Sequence, residues 1–244
     1  MSAPGYTRYE LRRTFRNRRF LLFSLGFPLI LYAMIALPSR GDQNFSGSGI
    51  PLALYYMVGL SSFGTMMAMV SSGARIAGER ESGWTRQLRI TPLSSAAYFR
   101  AKILTAYAMA GTSIALLFAF GFAIGVSLPA MQWAQMTGLL LVGLLPFAAL
   151  GVLLGHLLNV DSMGPATGGV VSLLAFISGT WFPVPDGLLH TIAVPLPSYW
   201  LVQASHVSTG GDGWGATGWL VVAAWTVGLT ALARLAYRRD TGRA

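Results

Sequence analysis

Cysteine is absent from the 244 residues, and charge is scarce: Asp, Glu, Lys and Arg together make up 10% of the chain, with only 8 acidic residues. Without cysteine there is neither a disulfide nor a thiolate metal site. Soluble proteins carry about 25% charged residues, so the shortage excludes an ordinary water-covered surface. Catalytic signatures are missing too. There is no nucleotide-binding G-x-x-x-x-G-K-[ST] loop, no H-E-x-x-H and no G-x-S-x-G elbow. The apolar runs hold essentially no ionisable residue in their interiors, whereas ion-coupled transporters and membrane enzymes place such groups there. Any chemical energy must therefore come from elsewhere, or the protein does no work.

What is present is apolar. Hydrophobic residues reach 54% and the mean hydropathy is +0.57. A helical span needs roughly 20 mostly apolar residues, and six stretches qualify: Phe20 to Leu37, Pro51 to Ala74, Ile103 to Leu128, Met136 to Leu158, Met163 to Phe182 and Trp214 to Ala233. Backbone polar groups in lipid must bond within their own segment, so these runs read as helices. The first could be mistaken for a signal sequence, but its apolar run exceeds the usual 7 to 15 residues of such a region and no A-x-A site follows, so it reads as an uncleaved span.

Net charge is +9. In a soluble protein that excess would suggest nucleic acid; in a membrane chain it is read by position. Six basic residues precede Phe20, six lie between Arg75 and Lys102, and four follow Ala233. With six spans, every basic residue except Arg40 falls on one side, and the positive-inside rule puts both termini and the 75–102 segment in the cytoplasm. No nucleic-acid partner is expected.

In chain order, residues 1–19 read as a cytoplasmic interfacial helix, with Arg8, Arg12, Arg16 and Arg19 on one stripe and Thr7, Leu11 and Phe15 on another, suited to anionic lipid. Residues 20–236 form the transmembrane domain, and 237–244 a cytoplasmic tail. The second span is rich in Gly, Ser and Met, which predicts close packing in the middle of the bundle or at a subunit interface. Pro146 should kink the fourth span. His156, Asn159 and Asp161 read as a polar helix end and not as a metal or catalytic pair, since no third ligand lies near them in sequence. The outer region 183–213 is too apolar for a free loop and too broken by proline for two spans. It reads as short helices dipping back into the outer leaflet, anchored by Trp181, Tyr199 and Trp200.

The 75–102 segment concentrates charge of both signs. The topology rule accounts for Arg86, Arg89, Arg100 and Lys102 but not for Glu79 and Glu81, so a polar protein partner is expected there. Gly78-Glu79-Arg80-Glu81-Ser82-Gly83, with Leu88, Thr91-Pro92-Leu93-Ser94 and Lys102 downstream, resembles the loop between spans two and three of ABC-2 type transporter permeases. Gly179-Thr180-Trp181-Phe182-Pro183 and Pro197-Ser198-Tyr199-Trp200 resemble that family's outer re-entrant region. Trp84 departs from the common pattern, in which threonine follows the glycine directly; here it is Thr85.

The resemblance covers nearly the whole chain and implies an all-α polytopic membrane protein. Its six transmembrane helices would be accompanied by an N-terminal interfacial helix, a cytoplasmic coupling helix and short re-entrant outer helices between spans five and six. It implies a permease in a bacterial inner or plasma membrane, paired with a second permease subunit, itself or a paralogue, and with ATP-binding subunits on separate chains. ATP and magnesium would belong to those subunits, leaving no cofactor and no catalytic role to this one. Glu79, Arg80, Glu81, Gly83, Thr91 and Pro92 become the expected ATPase-coupling residues, and Trp181, Phe182, Pro183, Pro197, Tyr199 and Trp200 the outer re-entrant set. The apolar, Met-rich interior favours export of a drug, antibiotic or lipid. A lipid-linked polysaccharide exporter and a non-transporting assembly factor are the alternatives.

Overall fold

A computed structural model of the chain describes residues 3–39, 49–84, 94–209 and 213–242. Among these, every regular element is helical. The chain runs through α1 (Ala3–Phe15), α2 (Arg18–Leu21), a π turn (Leu22–Gly26), α3 (Phe27–Ala36), α4 (Leu52–Glu81), α5 (Ser95–Ala123), α6 (Ala130–Gly143) and α7 (Leu145–Leu157). It continues through α8 (Val160–Ile177), α9 (Leu188–Ala193), α10 (Pro197–Gln203), a 3-10 turn (Ala204–Thr209) and α11 (Ala216–Gly242).

Five segments are long and apolar enough to cross a membrane: α4, most of α5, α6 with α7, α8 and most of α11. The sixth expected span, Phe20 to Leu37, forms a shorter apolar helix broken in register by the π turn. Pro28 supplies the reason. Its ring crowds the preceding turn and it has no N–H to give, and the turn before it widens so that the Phe27 N–H donates to the Leu22 carbonyl. Pro146 acts as the sequence predicts. The fourth span divides at Leu144, with Pro146 in the first turn of α7, where its missing N–H costs nothing.

The glycine- and serine-rich α4 lies in the middle of the bundle, with 89% of its most apolar window buried. It packs on α3, α5, α7, α8 and α10. The contact with α7 is backbone against backbone. A Cβ on Gly73 would come within 2.1 Å of the Gly151 carbonyl oxygen, and one on Gly155 within 2.6 Å of the Gly73 oxygen. Small residues are what allow this approach in lipid, where apolar side chains gain nothing by leaving the acyl chains.

Helices extend past the expected boundaries at the basic end. The segment 75–102 is not a loop throughout: α4 continues to Glu81 and α5 begins at Ser95. Gly83 ends α4 at a φ of 71°, in the left-handed region, and its N–H donates to the Arg80 carbonyl. Ser94 caps α5 by accepting from the Ala97 N–H. Likewise α11 runs on to Gly242 through most of the expected 237–244 tail.

Candidate functional site

Three helices converge at the basic end, and they meet through charge. On α1 the buried stripe is Tyr6, Glu10 and Thr14, spaced four apart and each under 2% exposed. The stripe faces the end of α4 and the start of α5. The arginines Arg8, Arg12 and Arg16 remain exposed, as their predicted stripe requires.

At the centre sits Lys102, 3% exposed. Its Nζ lies 2.5 Å from Glu79 Oε1 and 3.0 Å from Glu10 Oε2. Two guanidinium groups complete the cluster. Arg13 Nη1 is 3.3 Å from Glu79 Oε1 and 3.9 Å from Glu10 Oε1. Arg75 Nη1 lies 3.7 Å from Glu10 Oε2 and donates to Thr14 Oγ1. The Tyr98 hydroxyl donates to Glu79 Oε2 at 2.6 Å.

Tyr6 stacks on Tyr98 with ring centroids 6.0 Å apart, and the Lys102 ammonium lies 5.2 Å from the Tyr98 ring centre. Burial, followed by the charges of Glu79 and Glu10, pushes the Tyr6 phenol well above its ordinary value. Its proton therefore stays on, and the phenol stays neutral beside the carboxylates.

Arg80 and Glu81 carry the connection onward. The Arg80 guanidinium donates to the Gly155 carbonyl at 2.9 Å and to the Leu158 carbonyl at 3.3 Å, at the end of α7. Such a cation at a helix C-terminus satisfies carbonyls left without an intrahelical partner. Glu81 Oε1 accepts from the Val160 N–H at 2.8 Å, at the start of α8, where a carboxylate meets the positive end of the helix dipole. Nearby, Asn159 caps α8 by accepting from the Ser162 N–H. His156 is buried against the rings of Phe99 and Tyr237, joining α7 to α5 and α11.

This geometry revises the reason given for the glutamates. Glu79 and Glu81 have partners inside the chain, so an external partner is not needed to explain them. Their charges tie the end of α4 to α1, α5 and α8. Of the expected coupling set, Glu79, Arg80, Glu81 and Gly83 lie together at this end, while Thr91 and Pro92 lie outside the described residues. Sequence reading missed Tyr6, Glu10 and Tyr98, and it gave Lys102 a topological duty and a place in the family motif but no partner. One signal was available: Glu10 is the sole acidic residue before Phe20, among six arginines.

The outer set gathers at the other end of α4, about 35 Å away at 1.5 Å per residue. Tyr55 donates to the Gly179 carbonyl and Tyr56 to the Trp181 carbonyl at 2.7 Å. A Cβ on Gly59 would meet the Thr180 oxygen at 2.9 Å. Of the expected outer region, the described residues 183–209 contain α9, α10 and the 3-10 turn, with Pro197 and Tyr199 buried and the adjoining Phe182 exposed. Trp200 donates to the Val194 carbonyl at 2.9 Å, and Trp225 of α11 to the Pro195 carbonyl at 2.8 Å. Pro183 is half-buried. Tyr199 and Trp200 are thus pinned within the bundle, more firmly than interfacial anchoring alone requires.

Comparison with known proteins follows this division of the chain. A family model described as ABC-2 family transporter protein matches residues 42–235, from before α4 to within α11. A curated protein named "Putative transport permease YvfS", from Bacillus subtilis (strain 168), is 31% identical over 195 residues, 78% of this chain and 78% of the relative.

Proposed function

The chain belongs to the ABC-2 transporter family, and from that premise we propose that it is the permease subunit of an ATP-driven exporter of hydrophobic or amphiphilic cargo. Separate ATP-binding subunits supply the energy, and a second permease subunit completes the pathway. The basic end faces the cytoplasm, in keeping with the positive-inside rule.

One observation carries the reading. The connection between α4 and α5 is short, and both of its ends are fastened by charge to other helices. Glu79 and Lys102 bind the two ends to each other and to α1, while Arg80 and Glu81 bind α4 to α7 and α8. A push delivered between Ser82 and Ser94 therefore reaches five helices together instead of bending one loop. That is the requirement for a joint that takes force from a motor on another chain. The outer set, packed against the far end of the same long helix α4, is where the movement opens a way out, and α9 and α10 form its re-entrant gate. Buried Met57, Met66, Met69, Met109 and Met136 supply an adaptable apolar interior, which suits lipophilic cargo.

The test is cargo-stimulated ATP hydrolysis by the permease reconstituted with its ATP-binding subunit. Gly83→Val strains a position at φ 71° that has no neighbouring atom within 4 Å, so it alters the connection without touching the ionic cluster. Stimulation should fall about tenfold, a coupling loss within the usual range, with membrane insertion and unstimulated hydrolysis unchanged. Full stimulation in the variant would overturn the coupling role. Stimulation by lipid-linked glycans alone, and by no lipophilic drug, would overturn the cargo.

A further inference from the structure

Directly inside the ionic cluster, where α1, α4 and α5 meet, lies a cavity of about 10 Å3 walled by Thr14 of α1, Ser72 of α4, and Lys102, Thr105, Ala106 and Met109 of α5. Helical spacing explains the α5 wall. Residues three, four and seven positions apart share one helix face, so Lys102 stands at one end of the wall and Met109 at the other, about 10 Å away along the axis. Ala106 brings only a methyl group to the space between them.

The groups around the cavity are matched as donor and acceptors. An ammonium has three N–H donors and no acceptor, and Lys102 Nζ has two carboxylate oxygens within reach, Glu79 Oε1 at 2.5 Å and Glu10 Oε2 at 3.0 Å. At least one N–H is left to be answered. Thr105 and Ser72 have the opposite character. The Thr105 hydroxyl donates to the Ala101 carbonyl at 2.8 Å and the Ser72 hydroxyl to the Met69 carbonyl at 2.7 Å, so each oxygen has given up its proton and keeps only lone pairs to offer. Thr14 is already engaged on both counts, donating to the Glu10 carbonyl at 2.8 Å and accepting from Arg75.

A donor on one side and acceptors on the other call for a group that can both accept and donate. A metal ion does neither and is repelled by the ammonium, and chloride cannot donate. Water does both, needs about 10 to 15 Å3 of such space, and when buried makes about three hydrogen bonds.

We propose that one water molecule is held in this cavity as a fixed part of the junction, accepting from Lys102 Nζ and donating to Thr105 Oγ1 and Ser72 Oγ. It links Lys102 to α4 at a second level, about 10 Å along that helix from Glu79, so the joint grips α4 over two turns. The inference stands on the ionic cluster and does not depend on ATP, on the cargo or on a partner chain.

The experiment is X-ray radiolytic labelling of the full chain in nanodiscs, read residue by residue by mass spectrometry. The pulse converts a bound water to hydroxyl radical where it sits, and a methionine beside it is oxidised to the sulfoxide. Met109 is 1% exposed and Met57, toward the outer end of α4, is fully buried, so radicals from bulk water reach neither. Met109 in the wild-type chain should be labelled several times faster than Met57. Thr105→Val, which keeps the shape and removes an acceptor, and Ala106→Val, which fills the cavity, should both bring Met109 down toward the rate of Met57. Equal labelling of the two methionines in the wild type would overturn the proposal. So would undiminished labelling of Met109 in both variants. Labelling that appears only when gluconate replaces chloride would assign the cavity to a chloride ion, and would overturn it as well.

Discussion

The two ends of α4 are held by different chemistry. At the basic end, buried and half-buried charges join α1, α4, α5, α7 and α8. At the other end, tyrosine hydroxyls and indole N–H groups bind backbone carbonyls of the segments around α9 and α10. The difference shows what each end can do under load. Ion pairs are strong only while all partners stay in place, since removing one leaves another charge buried and uncompensated. Neutral hydrogen bonds to carbonyls are worth about 0.5 to 1.5 kcal/mol each, so they can be exchanged singly. A joint suits the first kind, and a gate suits the second.

The largest effect should come from Lys102→Met. Two buried carboxylates would lose their shared cation, at a cost of about 3 to 5 kcal/mol, read as a lower midpoint of thermal unfolding in nanodiscs. Adding Glu79→Gln to that variant should recover part of the loss. If the double variant is no more stable than the single, the cluster is not held together by charge and the contrast between the ends collapses.

Next is Gly59→Ala, at the opposite end. Its new Cβ would stand 2.9 Å from the Thr180 oxygen, against backbone that has little room to shift. Overpacking of this sort costs about 1 to 3 kcal/mol, and the same melting measurement should show it, with no dependence on salt.

Tyr56→Phe removes one hydrogen bond to the Trp181 carbonyl and should cost about 1 kcal/mol. Smallest is Glu81→Gln, which weakens a charge-assisted contact at the start of α8 and should cost about 0.5 kcal/mol. These two separate the ends by salt. Raising ionic strength from about 0.1 M to 1 M shortens the screening length from roughly 10 Å to 3 Å. The Glu81 effect should shrink accordingly, and the Tyr56 effect should persist. Matching salt responses would blur the distinction that the structure draws.

Much of this architecture was legible beforehand because lipid imposes one-dimensional rules. Five spans stand out by length and hydropathy alone, and the Gly-Ser-rich second span goes to the centre because small residues pack best there. Pro146 breaks its helix where its chemistry demands. The first span was harder to read, since hydropathy registers Phe20 to Leu37 as one run and cannot detect the π turn that Pro28 forces on residues before it. The candidate site was only half legible. Gly83 marks the start of the connection between α4 and α5, and the charges of Glu79 and Glu81 point to polar partners, but nothing along the chain shows that Lys102 and the start of α8 supply them from within.

By itself, then, the sequence determined the helical class, five of the spans and the family, because each depends on composition or on neighbours along the chain. Tertiary structure alone decided which charges meet. Glu10, Glu79 and Lys102 are separated by 69 and by 23 positions, and no periodicity links them. They come together because α1 lies across the ends of α4 and α5, and in that low-dielectric junction each buried charge must find its opposite. The ionic cluster at the end of α4 is therefore a product of packing, built from charges that lie far apart along the sequence.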